Sequence, residues 1–346
     1  MPSNKTEQRK KEHIELCLTD KAAFKTKTNG FEQYDFEHFA ATEVEFSSID
    51  LSTKFFSKKI SYPFLISCMT GGTAEAERIN EKLTLAAKEL NIPIGVGSQR
   101  QALEDNLLHS TYRVVRKNAG SVPILGNIGA AQVVKSKNLI DDFKTLIDMI
   151  EADAIVVHVN PLQELLQPEG EPNFKGLVKA LTKAIPKIKT PVIVKEVGAG
   201  ISQKAAKQFL DAGVSGIDIA GSGGTSWAAI ELLRSKNEDE YFSEWGLPTS
   251  YCIRSVKELK REYDFTLIGS GGIHDGVECA KALALGSDLT ASARILLKEV
   301  MKNDVEGIVN LLKGWFLTVQ KIMYLTGCDK IKKFTSLGMK RKEELV

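Results

Sequence analysis

The sequence predicts an α/β protein built as a single (β/α)8 barrel, with an N-terminal extension and long loops after strands four and six. Three observations predict it. From about residue 60 onward, short β-branched runs alternate with longer amphipathic stretches. Each run ends in Gly, Ser, Asn or another small polar residue, and eight runs follow one another without an obvious break. Parallel strands with helical crossovers form either an open doubly wound sheet or a closed barrel. Eight consecutive units favour closure, with the open sheet as the alternative.

In order, the strand runs are 63–66, 92–96, 123–126, 154–157, 191–194, 216–219, 265–268 and 287–290. Helical patterns, with apolar residues at three- and four-residue spacing, lie at 75–90, 141–151, 174–185, 203–212 and 276–285. Connections 161–173 and 222–249 are too long for simple turns. Both follow strand ends that form the catalytic face of a barrel, so they are expected to cover substrate. For the charged part, 234–240, a solvated surface insertion is the alternative. Residues 1–60 do not fit the rhythm and form an extension expected to contribute to the substrate site; residues 61–346 form the barrel. Within the extension, 8–18 predicts a short helix opening on the basic cluster Arg9-Lys10-Lys11. Segment 305–325 would be the last outer helix, and the basic tail 330–342 solvated surface.

Composition sets few limits. At 346 residues, with 43% hydrophobic and 26% charged side chains, the chain can bury a large core. With 46 basic against 44 acidic residues, nothing global points to nucleic acid. No apolar run approaches the length of a bilayer span, and no apolar segment follows the basic start, which predicts a cytoplasmic protein without a membrane partner. Cys17, Cys68, Cys252, Cys279 and Cys328 are odd in number and widely spaced, which suggests neither a disulfide framework nor a structural zinc site.

The residues that carry chemistry cluster at strand ends. Gly269-Ser270-Gly271-Gly272-Ile273 follows the seventh run and Ala291-Ser292-Ala293-Arg294 the eighth. Barrels often hold a cofactor phosphate between these two loops, where glycine lets amides approach and a helix start favours an anion. Gly221-Ser222-Gly223-Gly224-Thr225-Ser226, after the sixth run, supplies further donors or serves as a hinge. Lys195 ends the fifth run, where its ammonium suits the N1–C2 oxygen edge of a reduced flavin; an exposed charge is the alternative. Ser67-Cys68-Met69-Thr70, Gly97-Ser98-Gln99-Arg100 and Gly126-Asn127-Ile128-Gly129 face the same mouth and suit an isoalloxazine ring, or are ordinary turns.

The fourth run ends in His158-Val159-Asn160-Pro161-Leu162-Gln163-Glu164. Alternation sends His158 and Asn160 to one side, and a following turn lets Gln163 and Glu164 reach the same cavity. Glu164 is an oxygen ligand suited to Mg²⁺, which takes one or two carboxylates and completes its shell with water and substrate phosphates. A buried structural polar cluster is the alternative.

Together, Arg9-Lys10-Lys11-Glu12-His13, Met69-Thr70-Gly71-Gly72, Gly97-Ser98-Gln99-Arg100, the His158 to Glu164 cluster, Val194-Lys195-Glu196-Val197-Gly198 and Gly223-Gly224-Thr225-Ser226-Trp227 resemble the type 2 isopentenyl diphosphate isomerase family over roughly residues 8–295. The opening basic motif combined with the His158 to Glu164 cluster is the specific part. Cys68 stands where the family pattern leads one to expect Ala.

The resemblance implies a reversible allylic shift of isopentenyl diphosphate to dimethylallyl diphosphate without net redox change. It implies FMN, Mg²⁺ and NADPH as the reductant. Arg9 and Lys10, with Arg100 and His13, would hold the diphosphate, and His158, Asn160, Gln163 and Trp227 would also contact the substrate. Gln163 would be the accessory catalytic residue, with the N5 region of reduced flavin as the main acid–base group, and Glu164 would hold Mg²⁺. Flavin contacts would come from Cys68, Met69, Thr70, Ser98, Asn127, Lys195, Thr225, Gly271, Gly272, Ser292 and Ala293. Trp227 and the helix containing Glu231 would wall the isoprenoid pocket, unless Trp227 is core. A homotetramer or larger homo-oligomer is implied as well.

Cations at a helix start oppose its dipole, so the basic cluster is expected to close over a bound anion. Other flavin or phosphate barrels fit less well. A 2-hydroxy-acid oxidase wants a histidine before the late Gly-Gly loop, whereas His274 follows it. An inosine-monophosphate-type dehydrogenase wants a cysteine after a glycine-rich loop, and 222–227 holds none. Lys195, Gln163 and Glu164 argue against a non-catalytic phosphate-binding barrel.

Overall fold

Eight parallel strands follow the predicted runs: β1 (Phe64–Ile66), β2 (Ile94–Gly95), β3 (Ile124–Gly129), β4 (Ala154–His158), β5 (Val192–Lys195), β6 (Gly216–Asp218), β7 (Thr266–Ser270) and β8 (Leu289–Ser292). The structure, a computed structural model, describes residues 2–236 and 239–345. Each strand pairs with the next and β8 returns to β1, which closes the barrel and rules out the open sheet.

Alternation along the strands builds two separate apolar layers. Leu65, Leu125, Ala154, Val156, Ile193, Ile268, Leu289 and Ala291 cluster inside the barrel. Their neighbours Phe64, Ile66, Ile124, Ile155, Val157, Val192, Val194 and Leu267 join the larger core beneath the helices. Two residues beyond the inner apolar layer, the same parity turns Asn127, His158, Lys195 and Ser270 inward at the carboxy-terminal mouth. Polar chemistry therefore starts where the apolar plug ends.

The other end is stoppered by an element the sequence reading missed. A hairpin pairs Thr53–Phe55 with Lys58–Ile60, and Phe55 and Ile60 complete the inner cluster, each almost fully buried. Burying side chains of this size stabilises the fold by about 1.5–3 kcal/mol each. The turn lacks the usual Gly or Asn signal, since Phe56 itself takes the left-handed φ of 49°.

Helices match the predicted patterns within a few residues: Ala74–Leu90, Leu139–Ile150, Leu177–Ala184, Gln203–Asp211 and Gly276–Ala284. Their starts are capped by local chemistry. Thr73 accepts from the amide of Ala76, Ser202 from Ala205, and Asp275 from Val277 and Glu278.

Several expectations are corrected. The N-terminal helix runs from Pro2 to Leu18, so Arg9, Lys10 and Lys11 sit in its interior and the dipole argument no longer applies. Strand β8 lies two residues later than predicted, with Ala291 and Ser292 in the strand. Within connection 222–249, the helix expected around Glu231 is present as Trp227–Ser235, its start capped by Ser226 through the amide of Ala229. In the charged part 234–240, Asn237 and Glu238 lie outside the described residues; Ser235, Lys236, Asp239 and Glu240 are exposed as a solvated insertion would be, whereas the Arg234 side chain is turned in and only 7% exposed. The last outer helix runs to Leu325 as expected from residue 305, and a further helix from Arg294 precedes it across a kink at Asp304, whose φ is 59°. The basic tail is only partly solvated, because Ile331 and Phe334 are buried and Lys340–Arg341 pairs with Tyr34–Asp35. No helix among the described residues is long and apolar enough to cross a membrane. All five cysteines are unpaired.

Candidate active site

The mouth opens into a cavity of about 430 Å³, a usual size for a small-molecule site. All eight strand ends and the N-terminal helix contribute to its wall. The residues assigned above to substrate, catalysis, metal or flavin line it: Arg9, Lys10, His13, Arg100, His158, Asn160, Gln163, Glu164 and Trp227, together with Cys68, Met69, Thr70, Ser98, Asn127, Lys195, Thr225, Gly271, Gly272, Ser292 and Ala293.

The innermost layer is a chain of polar pairs across neighbouring strands. Register places Lys195 on β5 opposite Asp218 on β6, and Nζ lies 3.0 Å from Oδ2. The Ser270 hydroxyl donates to the other Asp218 oxygen. Sequence reading counted Asp218 as part of an apolar strand run. A charged residue inside such a run, on a strand next to a lysine, was the signal available. The pairing changes the expectation for Lys195: its charge is already balanced, and its remaining N–H groups are aimed by that bond.

On the neighbouring strand β4, in register with Lys195, His158 Nδ1 lies 2.8 Å from Asn127 Oδ1. An amide oxygen only accepts, so Nδ1 carries the proton and Nε2 presents a lone pair. Burial, with Lys195 nearby, pushes the imidazole pKa down to about 4, so the ring is neutral near pH 7.

A second group centres on Glu231, which is fully buried. Its Oε1 accepts from Gln163 Nε2 at 2.9 Å and meets His13 Nε2 at the same distance. Its Oε2 accepts from Arg234 Nη1 at 2.6 Å. Burial pushes the pKa up, but His13, Gln163 and Arg234 together outweigh it and hold the carboxyl below its ordinary value. Asn160 Nδ2 donates to Gln163 Oε1 at 3.0 Å and to Glu164 Oε1 at 3.2 Å. Both ends of the Gln163 amide are thus engaged, which fixes its orientation and leaves one N–H and one lone pair for a ligand.

The third group is cationic and sits on the N-terminal helix. Lys10 donates to the carbonyl of Gly71 and lies 3.4 Å from the Tyr112 hydroxyl, a partner that sequence reading missed. Burial, with Arg9 beside it, lowers the Lys10 pKa to about 7. Burial likewise lowers the pKa of Arg9, which faces Arg100. The helix is clasped to the β6 side by Arg234, whose guanidinium reaches Glu12 and Glu169, both at 3.0 Å.

The glycine loops after β6 and β7 pack backbone to backbone. A Cβ on Gly271, whose φ is +99°, would lie 2.0 Å from the carbonyl oxygen of Gly221, and one on Gly224 would lie 2.5 Å from the amide nitrogen of Gly272. Thr249 Oγ1 donates to the Gly271 carbonyl at 2.6 Å, and Asn29 Nδ2 to the Gly272 carbonyl at 2.5 Å. The cradle is therefore rigid and held from outside the mouth.

A profile of the FMN-dependent dehydrogenase family matches residues 3–112 and 160–340. The isopentenyl-diphosphate delta-isomerase of Pelodictyon phaeoclathratiforme is 42% identical over 344 residues, 95% of each chain. That of Pyrococcus abyssi is 41% identical, covering 96% of this chain and 91% of its own. The chain belongs to the FMN-dependent isopentenyl-diphosphate isomerase family. Solved structures of flavocytochrome b2 (TM-score 0.69, 15% identity, 93% of this chain and 79% of that one) and of a mandelate oxidase (TM-score 0.64, 14% identity, 93% of each) share the fold.

Membership of this isomerase family makes FMN the cofactor to be tested against the site, and the residues fit it. The interlocked glycines, the hydroxyls of Ser98, Thr225, Ser270 and Ser292, and the aimed ammonium of Lys195 suit a phosphorylated, hydrogen-bonding ring system. For a divalent cation, no group of three or more His, Cys, Asp or Glu side chains is gathered among the described residues. Glu164 lines the cavity, and Asn160 Oδ1 is buried without a hydrogen-bond partner beside it, so two oxygens are on offer. That is the sparse donor set Mg²⁺ accepts when phosphates complete its shell. His274, the late histidine, is tied to Glu278 through both its amide and its ring.

Proposed function

We propose that this chain interconverts isopentenyl diphosphate and dimethylallyl diphosphate, with reduced FMN, Mg²⁺ at Glu164, and NADPH as reductant. The observation that carries this reading is the meeting, in one cavity, of a half-buried cationic cluster and the Asn160 and Gln163 side chains, the latter fixed from behind by Glu231. Bound at this site, reduced FMN would supply acid–base chemistry at its N5 region and an electron-rich ring able to stabilise positive charge.

The chain's own residues divide the remaining work. Arg9, Lys10, Arg100 and His13 bind the diphosphate, with Mg²⁺ as further countercharge. The neutral His158 ring and Asn160 contribute hydrogen bonds near Glu164. Gln163 orients the reacting alkene through the donor and acceptor left free by its two fixed bonds. Trp227, edge-on to His13 with ring centroids 5.0 Å apart, walls the isoprenoid side with Met69 and Ile14. The N-terminal helix excludes water once the diphosphate is held. Residues 1–60 thus serve the barrel's substrate site, and the working form is a cytoplasmic homotetramer or larger, which light scattering tests for assembly.

The deciding experiment is an anaerobic assay with FMN, Mg²⁺ and NADPH. Yellow protein that interconverts the two diphosphates is the expected result; colourless protein without turnover refutes the reading. Glu164→Gln should raise the Mg²⁺ concentration for half-maximal activity by about tenfold or more. An unchanged Mg²⁺ response would remove Glu164 from the metal site.

A pH effect follows from Lys10. With a pKa of about 7 in the free protein, it is charged below that pH, and the arriving diphosphate raises the pKa further. Affinity is therefore fully present below pH 7 and declines above it, so KM rises with pH. In Lys10→Arg, whose guanidinium stays charged, the rise should flatten; an identical KM profile in both proteins would contradict the assignment.

A further inference from the structure

We infer that Arg294 couples the cofactor's phosphate loop to the lid that carries Arg9, Lys10 and His13. The inference rests on the reading that the FMN phosphate sits at the loop after β8. Arg294 opens the long helix after β8, so its backbone belongs to that loop. Its side chain leaves the loop and grips the end of the N-terminal helix. Nε donates to the Cys17 carbonyl at 2.8 Å, and Nη2 to the Thr19 carbonyl at 2.6 Å.

The final carbonyls of a helix have no partner within it, and a cation there is favoured by the helix dipole. A guanidinium suits the place because its planar fork reaches two carbonyls at once. The rest of the helix end is prepared for this grip. Thr19 already satisfies Leu16 through its amide at 3.0 Å and its hydroxyl at 2.8 Å. Lys298, one turn further along the same outer helix, reaches Asp20 at 2.9 Å.

Arg9, His13 and Cys17 stand four residues apart on one face of the N-terminal helix, and all three line the cavity. Holding Cys17 therefore sets where Arg9 and His13 point. Arg234 and Glu231 clasp the same helix from the β6 side. Arg294 is the corresponding grip from the β8 side, and it is carried by the residue whose amide belongs to the phosphate loop. Ordering that loop with phosphate orders the lid, and by reciprocity a closed lid strengthens phosphate binding. Arg294 is a positioning residue: it acts on the substrate site through the helix it grips.

The test is limited trypsin digestion, following loss of the N-terminal fragment at Arg9, Lys10 or Lys11 by mass spectrometry. It compares protein without flavin, with riboflavin, which lacks the phosphate, and with saturating FMN. In the unmodified chain FMN should slow this cleavage by about tenfold relative to riboflavin, an ordinary size for coupling between two sites. Arg294→Ala, with FMN still bound as judged by its absorbance, should lose that difference. Arg294→Lys should lose most of it, since an ammonium does not span both carbonyls. Asp20→Ala removes the Lys298 ion pair and the longer 3.5 Å contact of Arg294 Nη2 with the Asp20 carboxylate but leaves both carbonyl bonds, and should keep it.

If FMN protects no better than riboflavin in the unmodified chain, the phosphate-loop reading fails and the coupling with it. If FMN protects better, and equally well in both Arg294 variants, the phosphate reading stands and the coupling is overturned. Loss of the difference in Asp20→Ala also overturns it, because the Asp20 contacts and not the carbonyl grip would then be responsible. Should Arg294→Ala fail to retain FMN, Arg294→Lys decides. Failure of both to retain FMN overturns the inference, since Arg294 would then belong to the cofactor site itself.

Discussion

Glu231→Ala is expected to lower isomerase turnover by about a hundredfold, with a smaller change in KM. The carboxylate holds three groups at once: Gln163 and His13 at 2.9 Å and Arg234 at 2.6 Å. Hydrogen bonds to a charged partner contribute about 1.5–3 kcal/mol each, and about 1.4 kcal/mol corresponds to a factor of ten in rate. Removing the carboxylate frees the Gln163 amide to rotate, so the loss falls mainly on the chemical step. Glu231→Gln keeps the shape and an acceptor but gives up the charge, so it should fall between the two. A steady-state comparison of kcat and KM checks this, and turnover within a fewfold of the unmodified chain would show that Gln163 needs no such support.

The second large effect concerns Lys195 and Asp218. Lys195→Ala leaves the Asp218 carboxylate buried without its cation, and breaking a buried pair in this way destabilises by about 3–5 kcal/mol. Thermal unfolding should register that loss, and flavin affinity and turnover should fall with it. A merely structural role would be answered by removing both charges. In the Lys195→Met, Asp218→Asn double variant, unfolding should return close to that of the unmodified chain, because no uncompensated charge remains. Turnover should not return, since the N–H groups aimed at the cofactor are absent. Recovery of both would reduce the pair to a packing device.

Flavocytochrome b2 and a mandelate oxidase share the fold at 15% and 14% identity, a likeness of architecture alone. His274 follows Gly271 and Gly272 and is held by Glu278. At the mouth, this chain carries the Gln163–Glu231 pair and the cationic helix. A shared barrel supports different chemistries through such loop and strand-end changes.

Much of this arrangement was legible because it is local. Strand and helix periodicity located the eight units, and strand-end composition located the residues that meet in one cavity. Cap residues such as Thr73, Ser202 and Asp275 lie within three residues of the amides they serve. The hairpin plug escaped notice because its strands are three residues long and Phe56 occupies a turn position where glycine is the expected signal. The start of the N-terminal helix was misplaced because its first residues carry no apolar repeat to announce it.

The sequence by itself determined the eight strand–helix units, their inward parity and the set of polar groups at the strand ends, since each follows from spacings of two to four residues. Only the tertiary structure decided which of those groups act together. Gln163 and Glu231 are 68 residues apart, Glu12 and Arg234 are 222 apart, and Arg294 and Cys17 are 277 apart. Such contacts arise from barrel closure and from the N-terminal helix folding back over the mouth, and no local pattern records them. A buried carboxylate such as Asp218 or Glu231 also looks like any other acidic residue in sequence. Its meaning comes from the cation that burial forces beside it.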